Sequence, residues 1–251
     1  MMPEMHKRIP LLLNERRRHY QVIFRKLHER GEDDKGGRSA SVADSLRFLA
    51  VAEYVVENDV SGFKSKLSES ARYQLRLFER FEAGEPIPGS YVVMLSYQAL
   101  LDTLAAGDFE LALSLATHMG GRDALEKQHD HPFDYAMGYT LKWFVLGDRE
   151  EMAPWAAKFT AVCAQKGNNW FRGYAKMFNA ILDQDANRAN TGLEALAHDH
   201  KRLCTGRGVF RDSEDEVLCV WGLGMANLAR REGLEVSAQP PLIPEDLLVA
   251  C

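Results

Sequence analysis

Apolar side chains recur every three or four positions through most of the chain, and polar, glycine-rich or proline-rich breaks separate the runs. Between residues 11 and 30, Leu13, Tyr20, Ile23, Phe24 and Leu27 fall on one stripe and arginines fill the remainder, which predicts an amphipathic, basic N-terminal helix within a first segment 1–30. The stretch 31–40 is charged, glycine-rich and aperiodic, the composition of a flexible linker. From residue 41 to 251 the pattern reads as a single all-helical domain. Ser41, as N-cap with Asp44 in the first turn, opens a helix carrying Leu46, Phe48, Leu49, Val51, Tyr54 and Val55, which ends near Glu57-Asn-Asp59. A second helix starts at about Ser61, repeats Phe63, Leu67, Ala71, Leu75 and Phe78, and stops at the glycine- and proline-bearing joint 83–89.

Beyond that joint one plan recurs: an apolar helix, a turn with aspartate, then a more amphipathic helix. Tyr91 to Ala106 turns at Gly107-Asp108 into Phe109 to His118. Pro132 to Leu146 turns at Gly147-Asp148 into Arg149 to Ala164, and Trp170 to Leu182 turns at Asp183-Gln-Asp185 into Ala186 to His198. The turns lie about forty residues apart, within the range of helical-hairpin repeats. Glycine can close one helix in the left-handed conformation while the following aspartate caps the next. The predicted fold class is therefore all-α, with stacked antiparallel helical hairpins in a solenoid-like array or α-α superhelix. A last helix is expected from Ser213, with Ser213 and Glu216 as a capping box, Val217, Trp221, Gly224, Met225 and Leu228 as its buried stripe, and Gly233 after its end. The tail 240–248 reads as an extended strap with a final helical turn.

Composition narrows the function classes. Cys163, Cys204, Cys219 and Cys251 have neither metal nor redox spacing and are too sparse in 251 residues for a disulfide scaffold, so they read as reduced thiols. No signal-peptide core or membrane-length apolar run is present, which gives the expectation of a cytoplasmic protein without a membrane partner. The net charge of −5 is uneven: residues 1–30 hold eight basic against three acidic side chains, so the rest of the chain carries −10. An acidic body favours a basic protein partner over nucleic acid. Arg16, Arg17 and Arg18 lack an aromatic platform and read as the wet face of a helix lying on that body.

Two triplets, His129-Asp130-His131 and His198-Asp199-His200, have the residue types of a first-row metal site. Positions i and i+2 of a helix point to different sides, neither triplet has the His-Glu-x-x-His spacing, and both sit near helix ends where histidine suits the dipole. No metal and no cofactor is expected. Gly206-Arg-Gly208 lacks the remainder of a P-loop, and Gly222-Leu-Gly224 falls inside a helix, where glycine marks close packing. No nucleophile stands in an elbow motif, and Trp143, Trp155, Trp170 and Trp221 fall on apolar faces.

Carboxylates are the better candidates for partner binding. Asp108 and Glu110, then Asp148, Glu150 and Glu151, occupy the same place in successive hairpins, so stacking would line them along one edge; Asp212, Glu214, Asp215 and Glu216 add a cluster before the last helix. Such a row speeds encounter with a basic partner, while each residue alone also suits a helix N-terminus.

The run from Asp215 to Val236, with its Gly-Leu-Gly helix and Arg-Arg-Glu-Gly-Leu stop, followed by Pro241-Leu-Ile-Pro-Glu-Asp-Leu-Leu248, resembles the close of the immunity protein 49 family of bacterial polymorphic toxin systems. Ala105-Ala-Gly-Asp-Phe-Glu-Leu-Ala112 and Leu146-Gly-Asp-Arg149 are similar to the middle of that family, so the likeness extends diffusely over 41–249. The helical immunity proteins of PD-(D/E)xK-type nuclease toxins share a similar body and tail. The resemblance implies a non-enzymatic, all-helical protein that binds a cognate toxin protein and occludes its active site, and it carries no fixed catalytic set. The rival expectations are a helical-repeat adaptor binding peptides or partner proteins, and a metal-dependent enzyme built on the histidine triplets. Monomer and homodimer are both left open.

Overall fold

In the computed structural model the first helix, α1 (Glu4–Arg30), is longer than its predicted stripe, and exposed Pro10 does not end it. The structure describes residues 4–33 and 35–250, so the thiol of Cys251 and residue Asp34 of the expected linker lie outside the described residues. Met5, Ile9 and Leu13 of α1 enter the main core, while Ile23 joins Val42, Leu46 and Tyr73 in a small second cluster. Of the three arginines assigned to the wet face, Arg17 turns inward and donates to Glu53 (2.9 Å) and Glu57 (2.8 Å), and Arg16 lies over the Phe48 ring.

α2 (Gly37–Glu57) begins four residues before the predicted Ser41 cap. The Asp33 carboxylate accepts from the backbone N–H of Arg38 (2.9 Å) and Ser39 (3.3 Å), so it satisfies the orphan donors of the first turn. Ser41 instead donates back to the Gly37 carbonyl. Asp33 also pairs with Arg80 of α3 (Val60–Glu82), so the expected linker 31–40 shortens to 31–36 and is tied to the body. The joint between α2 and α3 matches its reading: Asn58 is left-handed and Asp59 accepts from Gly62.

The helix expected over Tyr91–Ala106 is divided. Two 3₁₀ turns, Gly89–Tyr91 and Met94–Ser96, precede α4 (Tyr97–Ala106), because the distant Asp130 carboxylate accepts from Met94 and Leu95 N–H at 3.0 Å each. α5 (Phe109–His118) follows as predicted, then α6 (Asp123–His129), which the periodicity does not announce. α7 (Pro132–Leu146) and α8 (Arg149–Ala164) have their predicted bounds. A 3₁₀ turn at Asn169–Phe171 leads to α9 (Arg172–Leu182), and α10 (Ala186–Leu203) runs five residues past His198.

The predicted capping box at Ser213 is absent. Glu216 is drawn away to accept from the backbone N–H of Met5 (3.2 Å) and Asp212 (2.7 Å), and Ser213 donates to the Phe210 carbonyl. Glu214–Glu216 is a 3₁₀ turn, and α11 starts only at Val220, running to Arg231.

The described residues thus form an all-α protein of eleven α-helices with no strand. α1 lies on α2, α2 pairs with α3, and α3 leans on α4 and α5; α4/α5, α7/α8 and α9/α10 are the expected helix pairs, with α5 against α7 and α8 against α9. α11 departs from a plain row of hairpins. It touches α4, α9 and α10, and every residue from Val220 to Ala229 is buried. A glycine allows this insertion, since a Cβ at Gly224 would stand 2.6 Å from the Leu101 carbonyl oxygen; Gly173 likewise lets α9 close on α10, where a Cβ would stand 2.5 Å from the Leu196 backbone.

The tail forms the expected strap. Gln239 and Ile243 exchange backbone hydrogen bonds, Glu245–Leu247 makes a 3₁₀ turn, and Leu242, Ile243, Leu247 and Leu248 are buried. Among the described residues no helix is long and apolar enough to cross a membrane.

Candidate functional site

Two of the hairpin turns meet at one end of the molecule. Gly107 and Gly147 are left-handed, Asp108 accepts from Leu111 N–H, and Asp148 accepts from Glu150 and Glu151 N–H, so both aspartates are caps as well as charges. The Arg231 side chain stands between the turns, its guanidinium 5.2 Å from the Phe109 ring centroid and 3.4 Å from the Val145 carbonyl. Glu110, Asp148 and Glu150 are exposed, Glu151 is half-buried, and Asp108 is paired with Arg72.

The C-terminal strap runs over the same end. Val249 lies against Gly107, Asn227 holds Val249 N–H, and Arg230 binds the carbonyls of Val236 and Val249 and the Glu245 carboxylate. The strap carries two exposed carboxylates that the repeat could not point to because they lie outside it, Glu245, paired with Arg230, and Asp246, which accepts from the Tyr54 hydroxyl.

The other predicted acidic cluster is largely withdrawn from solvent, with only Asp212 exposed. Asp215 and Glu216 are buried, Glu214 is half-buried, and Asp212 pairs with Arg8 and Arg211. Arg47 of α2 explains the burial: its guanidinium reaches Asp102 (3.2 Å), Glu214 (2.5 Å) and Asp215 (2.9 Å), joining α2, α4 and the 3₁₀ turn. Burial opposes the charge on Arg47, but the three carboxylates outweigh it and hold its pKa well above the usual value. Burial pushes Asp102 up to about 6, with Arg47 opposing the shift.

Asp102 therefore binds its proton more tightly folded than unfolded, and the stability this gives is present below pH 4 and lost as pH rises to about 6. Asp102→Asn removes that titration. Between pH 4 and 6 the stability difference should move in favour of the variant as pH rises, which urea titrations at pH 4, 5 and 6 would read; a constant difference would contradict it.

The histidine triplets do not converge on a metal site. Asp130 is committed to two backbone N–H groups, His131 Nδ1 accepts from Phe133 N–H, His129 and His198 are exposed, and buried His200 donates from Nε2 to the Asp215 carbonyl at 2.6 Å. Among the described residues no group of three or more histidine, cysteine, aspartate or glutamate side chains could hold a metal ion. The described thiols are free, and burial pushes Cys163 and Cys204 each up to about 12.

At the beginnings of α4, α7, α9 and α11 lies a cleft of about 760 Å³. Tyr97, Phe133, Phe171 and Trp221 form its largely buried floor, Trp170 stands at the side with Arg202 over its ring at 5.0 Å, and Arg207 and Val209 come from the α10–α11 connection. Trp170 and Trp221, expected in the core, are thus core on one side and cleft wall on the other. The cleft joins five separate segments, so no local motif announces it; Arg47 and Asp102 were signalled only as lone charges inside apolar helical runs.

No protein-family model matches the chain, and no curated protein or solved structure is significantly similar to it.

Proposed function

We propose that the chain is a toxin-neutralising binding protein, not an enzyme, whose acidic end grips a basic partner protein and covers its active site. The observation that carries this reading is that the Arg231 side chain reaches from Phe109 to the Val145 carbonyl, linking the two hairpins whose turns bear Glu110, Asp148, Glu150 and Glu151, while Val249 of the strap lies against Gly107. Gathered exposed carboxylates raise the encounter rate with a positively charged surface and reject acidic competitors. The immunity-type resemblance of the C-terminal run supplies the class of partner.

The test is co-expression with the product of the adjacent gene, which the resemblance implies is the toxin. Rescue of growth and a one-to-one complex are expected. The double variant Glu110→Lys, Glu150→Lys should lower the association rate about tenfold or more at low salt and flatten its salt dependence, while the fold stays intact because both side chains are exposed. A complex formed at an unchanged rate would remove the acidic end from the mechanism. A pull-down returning many unrelated proteins would favour the adaptor role instead.

A further inference from the structure

We propose that the cleft between α4, α7, α9, α10 and α11 is a small-molecule site for a flat aromatic anion, an aryl carboxylate in chemical class. This site is separate from the acidic end, and its failure would leave the partner-binding reading untouched.

Three observations carry the proposal. The cleft's volume, about 760 Å³, lies within the usual range of roughly 300–1,000 Å³ for small-ligand sites. Its floor is aromatic and rigid: Phe133 and Phe171 stand 4.3 Å apart, and Trp221 is held edge-on by Tyr97 (5.2 Å) and Phe210 (5.0 Å). Rings fixed in this way offer apolar walls against which an aryl group can pack without further loss of side-chain freedom.

The third observation is charge. Arg202 and Arg207 both line the cleft, and neither has a carboxylate partner among the described residues, whereas Arg47, Arg80 and Arg230 are each satisfied by one or more. Arg202 is already laid on the Trp170 ring, which orients its fork of donors at little entropic cost. The carboxylate that lines the cleft, Asp134, accepts from the Tyr97 hydroxyl at 3.2 Å, so its side is taken and the arginine side is left for an anion. A guanidinium fork matches a carboxylate with two parallel hydrogen bonds, and an aryl group behind that carboxylate would rest on the phenylalanine and tryptophan floor.

The experiment titrates the full chain by calorimetry with 2-naphthoate and with 2-naphthamide, which has nearly the same shape and no charge. One saturable site is expected for naphthoate, with the amide at least tenfold weaker. Arg202→Gln combined with Arg207→Gln should weaken naphthoate about tenfold to a hundredfold, in line with the loss of charge-assisted hydrogen bonds, and abolish its advantage over the amide. Both arginines are exposed, so the thermal midpoint of the double variant should stay at the wild-type value. Equal binding of the two probes, absence of binding by both, or an affinity for naphthoate that the double variant leaves unchanged would overturn the site. So would capture of an acidic tryptophan-bearing peptide with no response to naphthoate, since the cleft would then belong to a protein partner.

Discussion

Arg47→Met should lower the unfolding free energy by about 3–5 kcal/mol at pH 7, the range seen when one member of a buried ion cluster is removed. The side chain is a single cation shared by three carboxylates from two other elements, and two of these, Asp102 and Asp215, are buried. Methionine fills much of the volume and adds no donor, so the remaining charges would stand in a low-dielectric setting without compensation. The deficit should shrink as the pH falls toward 4, because protonation of Asp102, already displaced to about 6 by burial, removes part of the uncompensated charge. Urea unfolding of both proteins at pH 7 and pH 4.5 measures this. A loss under about 1 kcal/mol at pH 7, or a loss that grows on acidification, would show that Arg47 does not neutralise the cluster.

The same residue marks where reading the chain in order stops working. α7 and α8 were legible to the residue because everything that ends one and starts the other is local: Gly147 takes φ 71°, and Asp148 caps the turn that follows it. Prediction failed where a hydrogen-bonding partner came from elsewhere in the sequence: Asp130 breaks the start of the helix expected at Tyr91, and Glu216 abandons the capping box at Ser213 for the Met5 N–H, 211 positions away. The early start of α2 is a local miss, because Asp33 sits inside an aperiodic charged stretch and caps the helix five residues on.

The candidate residues divide along that same line. Glu110, Asp148 and Glu150 stayed exposed and Asp108 and Glu151 half-buried, because the backbone around them is a helix start set by its own turn. Asp215 and Glu216 looked equivalent in a string of acidic letters, yet long-range partners drew them inside. The aromatic cleft was illegible for a related reason: its members sit on ordinary apolar helical faces, and only tertiary packing decides which of those faces leaves a gap.

Phe178→Ala is expected to cost about 3–5 kcal/mol, the usual price of emptying a fully buried phenylalanine site. Phe178 of α9 touches Phe144 of α7 at 4.7 Å between ring centroids and meets Phe159 of α8 edge-on at 5.8 Å, so a single ring joins three helices from two neighbouring hairpins. Phe159 continues to Phe133 (5.6 Å), and Phe133 to Phe171 (4.3 Å), which carries the same aromatic chain to the cleft floor. Because these helices meet through interlocked rings, the neighbours can fill the void only by shifting one hairpin against the other. Far-UV circular dichroism of the variant should keep its helical signal at 20 °C while the urea midpoint falls, and the cleft should bind its aryl probe more weakly although no residue lining it has changed. Phe178→Leu should recover more than half of the stability. If alanine and leucine behaved alike, with losses below about 1 kcal/mol, the rings would be neighbours only, and the joint between the hairpins would have to lie in the rest of the α8–α9 contact instead.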